Sequence, residues 1–382
     1  MFALPNIALE DPIDVDGVAL VSIHDDRIQA LAKKHKRFAS YLGRFRSEFG
    51  REVQPSIIIW RDDSSDLYRS VEALAGFRDA VSISVVPYGR ATLLHYGHSP
   101  EILYSDWFAI YPWMLDKNYE FVVMRTMAQM GLDEAEELQP QSTPGITARP
   151  LIRRMIDRPV LEALLKRWPA RYQTKTPSWE STALFRSLNM ANVASKIPAS
   201  TDGTTYDIGR SIGLWVSAFE ILVHTGTKSD LFKVYDIFDK VEWHLTECME
   251  KIYQPHGYKA GQPLRTLACW VYGKIYDGRN DFLHGNPITA DTLIVPQSGR
   301  HLLHYAPILY RMALTGFLKL KWDEPEPILQ EELDTYQSRK FDFGYFQGEM
   351  EAALATVLYS QEEYAALREG RAVRLRPALK RV

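Results

Sequence analysis

The stretch PLRTLACWVYGKIYDGRNDFLHGNP, Pro263 to Pro287, decides how the second half of the chain is read. At about 3.6 residues per turn, Leu267, Val271, Ile275, Gly278 and Phe282 share one helical face. Gly273, Asp277, Asn280 and His284 lie on nearly the opposite side, with Arg279 between the two. The apolar face is therefore expected to meet a core. The polar set is expected to point out toward solvent, a ligand or a partner subunit, with Gly273 leaving room for close approach. An ordinary helix end explains part of the pattern. Gly285 suits the left-handed position past a helix, Pro287 blocks continuation, and His284 near the C-terminus complements the helix dipole. That explanation leaves Arg279 and Asn280 unaccounted for.

The segments around this one are also helical. Thr176–Pro198 offers Thr176 or Ser178 as a cap and ends at a proline. Tyr206–Gly226 runs into a glycine. Ser229–Tyr253 reads as a single helix opening at Ser229, with Leu231, Val234, Phe238, Val241, Leu245, Cys248 and Ile252 on one stripe. Arg300–Leu320 completes a set consistent with a helical bundle. Beyond Trp322, one more helix is expected around Gln347–Gly370.

The first part of the chain mixes element types. Asp25–Phe49 has helical spacing in Ile28, Leu31, Phe38, Leu42 and Phe45. It is followed by β-rich runs, PSIIIW (55–60), AVSISVVPYG (80–89), RATLLHYG (90–97), WFAIYPWML (107–115) and YEFVVMRT (119–126), separated by Gly, Pro, Asp and Ser clusters. Such runs read as the strands of an α+β domain. Leu138–Pro150, rich in Pro, Ser, Thr and Gly, is the best linker. The expected fold class is therefore α+β, an N-terminal mixed domain followed by an all-α bundle. The boundaries drawn are 1–140 for the N-terminal domain, 141–175 for a basic helical linker, 176–322 for the bundle and 323–382 for a helical tail.

Composition narrows the function classes. The net charge is −3, which argues against a protein that coats nucleic acid, yet the charges cluster. Arg27–Arg51 holds eight Lys/Arg against one acid, Arg149–Lys175 eight against two, and Arg368–Val382 six against one. Asp323–Asp334 carries six acids and no base. Each basic cluster reads either as a phosphate-backbone contact or as a solvated helix face. The two cysteines, Cys248 and Cys269, make neither a disulfide framework nor a zinc ribbon. The N-terminus has no signal-peptide pattern, and GLWVSAFEILV is interrupted by Glu220 and too short to span a bilayer. A cytoplasmic protein without a membrane partner is expected.

RNDFLH, Arg279 to His284, resembles the motif of the HEPN superfamily: an arginine, a polar residue that is often asparagine, several residues, then a histidine. The motif falls late in a bundle and is followed by a long apolar helix, as in the ApeA-like HEPN branch. LWVSAFEIL (214–222) is similar to the aromatic-rich helix that carries a glutamate in that branch. The resemblance covers Ser178 to Leu320. It implies a metal-independent endoribonuclease, with no cofactor, in which two subunits pair their motifs into a composite site. Arg279 would then hold the scissile phosphate, and His284 would act as general base on the ribose 2′-hydroxyl or as acid on the leaving oxygen. Asn280 would orient either group, and the product would carry a 2′,3′-cyclic phosphate. The implied setting is prokaryotic defence or toxin-like growth arrest, with RNA and a second copy as partners and an unidentified activating ligand or phage-derived trigger. Another reading is a catalytically silent HEPN module for dimerisation and RNA binding, with the function in the N-terminal domain.

Other residues were weighed beside these. Arg210, Ser217, Glu220 and His224 form a narrow polar strip on the Tyr206–Gly226 helix. Glu220 either supports the arginine of the motif or pairs structurally with Arg210 or another base. Asp277 flanks the motif as a further supporting candidate. The pairs His95/His98 and His301/His304 lack the HExxH pattern, so no metal site is assigned. FDFGYF (341–346) reads as packing and turn residues.

Overall fold

The computed structural model describes the chain except for residues 62, 117, 126–129, 132–142, 144–145, 199–202, 227–229 and 372–382. The 140/141 boundary, most of the Leu138–Pro150 linker, the helix start at Ser229 and the basic end beyond Arg371 lie outside the described residues. The class is α+β, with an N-terminal sheet and a helical C-terminal half. Two compact units form: Met1–Arg78, Tyr104–Ile156 and Tyr172–Lys175 make the first, and Asp79–Leu103, Asp157–Arg171 and Thr176–Val382 the second.

The first unit is built on β1 (Phe2–Leu4), β2 (Ile7–Leu9), β3 (Ile13–Val15), β4 (Val18–Ser22) and β5 (Ser56–Trp60). A four-stranded sheet has the order β1-β5-β4-β3, antiparallel throughout. The β3–β4 hairpin turns on Asp16 (φ 40°) and Gly17 (φ 83°), left-handed conformations that match the strand twist in a two-residue loop. Three further strands, β6 (Trp113–Leu115), β7 (Val122–Arg125) and β8 (Met130–Gly131), make a second antiparallel sheet, while β9 (Arg149–Leu151) runs parallel to β2. The Ser56 hydroxyl ties β2 to β5, accepting from the Leu9 amide and donating to the Ile7 carbonyl, both at 2.9 Å.

Over the sheet lie α1 (Asp26–Lys34) and α2 (Lys36–Leu42), whose Ile28, Phe38, Tyr41 and Leu42 join Val21, Ile57 and Leu115 in one core. The Asp25–Phe49 segment, expected as one helix, is thus two helices. His35 leaves helical geometry (φ −124°, ψ 100°), and its ring lies 4.6 Å from that of Tyr119.

The largest correction concerns residues 80–97, expected as strands. They form the end of α3 (Val71–Ile83) and all of α4 (Val86–Tyr96). Every residue from Ala80 to Thr92 is buried, and a segment buried on all sides carries no polar face to reveal its period. Pro87 sits in the first turn of α4, where its missing N–H costs no hydrogen bond, and Gly97 (φ 79°) ends the helix. Gly89 is required by close approach, since a Cβ there would stand 2.2 Å from the Ile102 carbonyl oxygen. Within 107–115, Trp113–Leu115 alone is a strand; Trp107 and Phe108 belong to a short 3-10 turn.

The second unit continues with α5 (Arg158–Tyr172), α6 (Trp179–Ala194, capped by Ser178), α7 (Thr205–Leu222), α8 (Leu231–Phe238), α9 (Thr246–Met249), α10 (Leu267–Leu283) and α11 (Ala306–Leu318). α5 lies in the segment expected as a linker, and its Val160, Leu164 and Trp168 are fully buried. The expected helix over Ser229–Tyr253 breaks after Phe238. The Trp243 indole donates to the Phe238 carbonyl at 3.0 Å, and Glu351 accepts from the His244 and Leu245 amides at 2.9 and 2.6 Å. These tertiary partners replace the bonds that a continuous helix would have made. Val234, Phe238, Val241 and Cys248 from the expected stripe are nonetheless buried.

The tail is two helices rather than one. α12 (Gln330–Ala355) starts earlier than expected, inside the acidic stretch, and α13 (Gln361–Arg368) opens with a capping box from Ser360 and Glu363. Tyr345 and Phe346 of FDFGYF pack against Tyr88, with ring centroids 6.0 and 5.2 Å apart. No helix among the described residues is long and apolar enough to cross a membrane.

At the centre of this unit Arg311 and Asp157 pair at 2.7 Å, each only 2% exposed. Arg311 also donates to Gln347 of α12 at 2.7 Å and to Thr315 at 3.2 Å. Arg311→Met would strand the Asp157 carboxylate, and a loss of about 3–5 kcal/mol in urea unfolding is expected. Adding Asp157→Asn, which removes the charge and keeps a capping oxygen, should restore part of that loss; no restoration would show that the pair is not the source of the cost.

Candidate functional site

Helix α10 carries the motif. Its Leu267, Val271, Ile275 and Gly278 are buried, as the spacing requires, and Phe282 packs on α7, where a Cβ at Gly209 would stand 2.0 Å from its ring. The helix closes at His284, whose amide donates to the Asn280 carbonyl at 2.9 Å, and Gly285 takes the left-handed conformation (φ 71°). Asn286 fastens the turn, its amide and side chain donating to Asp281 at 3.2 and 2.9 Å.

The opposite face is not uniformly open. Gly273 is buried, and a Cβ there would stand 2.8 Å from the His256 amide nitrogen. The close approach at Gly273 is made by the chain's own 253–258 loop rather than by a ligand or partner. That loop is pinned by the Tyr253–Arg265 bridge, by the Tyr235 hydroxyl donating to the His256 carbonyl at 3.0 Å, and by the contact of the His256 Nδ1 with the Asp277 carboxyl. Asp277 is thus a fastener of the loop in this structure.

Arg279 and Asn280 come together. The Arg279 Nη1 donates to the Asn280 Oδ1 at 2.9 Å, and the guanidinium lies 5.8 Å from the Tyr276 ring centroid. Glu220 of α7 is the acid beside Arg279. Burial raises its carboxyl pKa above the ordinary 4.5, and the Arg279 charge pulls it back down. Arg210, the other partner weighed for Glu220, instead pairs with Asp207 one turn away at 3.1 Å. Tyr272 completes the group. Its hydroxyl is fully buried, with its pKa raised well above the ordinary value first by burial and then by Glu220, and it has no hydrogen-bond partner among the described residues.

His284 lies at the exposed end of the same helix, and its ring makes no hydrogen bond or ion pair among the described residues. The arrangement therefore joins a guanidinium with donors to spare, an amide that fixes its direction, a half-buried carboxyl behind it and an imidazole in solvent. Such a set binds a phosphodiester and moves a proton.

Sequence reasoning named Arg279, Asn280, His284, Glu220 and Asp277 and did not single out Tyr272, Tyr276 and His256, which the structure places around them. The two tyrosines stand on the motif's own helix, where an aromatic run reads as core. His256 lies in a loop whose position no periodicity reports. The pairs His95/His98 and His301/His304 do not converge on a metal: His301 accepts from the Leu303 amide at 3.1 Å, and His304 faces Arg90 at 2.9 Å. No cluster of three metal-ligating side chains occurs among the described residues. No protein-family model, curated protein or solved structure matches the chain.

The raised pKa of Glu220 has a pH consequence. The folded protein holds this proton to higher pH than the unfolded chain does. The resulting stability is present below about pH 4.5 and is lost as pH rises through the folded pKa. Glu220→Gln mimics the protonated form, so its melting temperature should lack that decline above about pH 4.5. Parallel pH profiles for the variant and the parent would refute the assignment.

Proposed function

We propose that the chain is a metal-independent endoribonuclease of HEPN type, acting as a homodimer whose two Arg279–His284 segments face one another across an RNA strand. The observation that carries this reading is the pairing of Arg279 with Asn280 on a helix whose C-terminal cap, His284, presents to solvent an imidazole with no hydrogen-bond partner among the described residues. A site completed by a second copy requires such exposure. The Tyr276 ring, 5.8 Å from the guanidinium, and the pull of the Arg279 charge on the Glu220 carboxyl support the reading.

The chemistry follows from these groups. One His284 takes the proton of the ribose 2′-hydroxyl as the 2′-oxygen attacks phosphorus. The bond from phosphorus to the 5′-oxygen breaks, and the His284 of the second copy, in its protonated form, gives a proton to that oxygen. The products are a 2′,3′-cyclic phosphate and a 5′-hydroxyl. Arg279 places its forked donors on the non-bridging oxygens, where charge accumulates. Asn280 keeps that fork aligned. No metal is needed, because the charge is met by guanidinium and the protons by imidazole. RNA, a second copy and an activating ligand or phage-derived trigger are the partners of this reading, and prokaryotic defence in the cytoplasm is its setting.

The test is cleavage of end-labelled RNA by the purified protein in EDTA. His284→Ala should lower the rate roughly 10²- to 10⁴-fold, the usual worth of a positioned acid or base. Arg279→Ala should lower it comparably while the protein stays folded, and the fragments should end in a cyclic phosphate. Cleavage that survives both substitutions rejects the proposal. RNA binding without cleavage by the parent protein would leave the silent dimerisation module instead.

A further inference from the structure

The second unit also holds a part-open cavity of about 450 Å³ between the end of α4, the 299–304 turn and α13. Its polar lining is basic. Arg300 is 9% exposed; its Nη1 donates to the Leu94 carbonyl at 2.8 Å, while its buried Nε has no hydrogen-bond partner among the described residues. Arg368 stands at the rim, its Nη1 donating to the His95 carbonyl at 3.2 Å and its guanidinium 4.6 Å from the Tyr96 ring centroid. Arg90 lies behind, against His304.

The three histidines here are hydrogen-bonding groups rather than additional cations. Burial, then Arg90, His301 and Arg300, push His304 down to about 3; burial lowers His301; burial and then Arg368 lower His95. His95 Nδ1 is buried and has no hydrogen-bond partner among the described residues. Glu349 is the acid that Arg368 feels, and burial raises the pKa of its carboxyl. Guanidinium charge held in a part-enclosed space with an unused donor calls for an anion.

A bare oxyanion would leave most of the cavity empty, because spaces of about 300–1,000 Å³ fit small organic ligands. The remaining lining is aromatic. Tyr96 stacks on His95 at 4.3 Å, and Tyr364 meets the same imidazole edge-on at 5.8 Å while facing Arg300 at 5.7 Å. We propose that this cavity binds a nucleoside monophosphate, with the phosphate on Arg300 and Arg368 and the planar base against the wall formed by Tyr96 and Tyr364. The assignment goes beyond the nuclease reading and does not depend on it.

Isothermal titration of the full chain with AMP, adenosine and inorganic phosphate tests the proposal. AMP should bind saturably, and adenosine and phosphate should each bind at least about tenfold more weakly. Arg368→Gln, at the exposed rim, and Arg300→Gln should each weaken AMP about 10- to 100-fold, the worth of a charge-assisted hydrogen bond. Circular dichroism would confirm that each variant is folded. Absence of saturable AMP binding up to millimolar concentration overturns the proposal, as does unchanged affinity in a folded Arg368→Gln protein. Phosphate binding as tight as AMP overturns the nucleotide assignment, and affinity lost with Arg279→Ala instead would move the ligand to the motif.

Discussion

A single buried cation organises the helical unit. Arg311 sits in the middle of α11, a helix whose residues from Ala306 to Gly316 are all buried, and a guanidinium in that position must be paired. Asp157 supplies the pair and, from the start of α5, also accepts from the Val160 amide at 3.3 Å. Its own amide donates to the Ser84 carbonyl at 2.7 Å, just beyond the end of α3. With Gln347 of α12 completing the guanidinium, four segments far apart in sequence are fixed in direction as well as distance. Hydrophobic burial alone would hold them together but would tolerate sliding; a buried fork with named acceptors does not. One residue along the same helix, Tyr310 bonds Ser187 of α6 at 2.5 Å, and Ser187 donates to the Ala218 carbonyl of α7 at 2.7 Å.

That frame is what positions the motif. α7 is held to α6 and α11, and α10 is held to α7 through Phe282 against Gly209 and through the tilted contact of the Phe219 and Tyr272 rings at 4.8 Å. Glu220 therefore arrives beside Arg279 by packing rather than by proximity in the chain. The consequence is a graded site. Arg279 is backed by a carboxyl and a tyrosine and half withdrawn from water, whereas His284, past the last packed turn, is left in solvent. The same helix thus offers a held charge and an accessible imidazole within its last two turns.

Much of the fold was legible where one face of an element meets water. The apolar face of α10 gave its helix away, as did the Ser178 cap of α6, the narrow polar strip on α7 and the left-handed Gly285. The β3–β4 hairpin carries a strong two-residue turn signal in Asp16-Gly17 between apolar residues, although none of the expected strands covers it. Residues 80–97 were not legible, because a helix buried all round and a buried strand are both runs of apolar residues. The break after Phe238 was also hidden, since the groups that replace its lost helix bonds are Trp243 and Glu351, and Glu351 lies on α12, more than a hundred residues away.

The sequence by itself determined the local terms: which residues favour helix, where a helix must stop, and that Arg279, Asn280 and His284 fall on its final turns. Those follow from backbone geometry and side-chain period, which act over a few residues. Only the tertiary structure decided that Gly273 is filled by the 253–258 loop, that Asp277 contacts His256, that Arg210 pairs with Asp207 while the Glu220 carboxyl feels the Arg279 charge, and that Arg300 and Arg368 share a cavity. Each of these depends on which groups are removed from water together, and that is a property of packing among distant segments that no local pattern encodes.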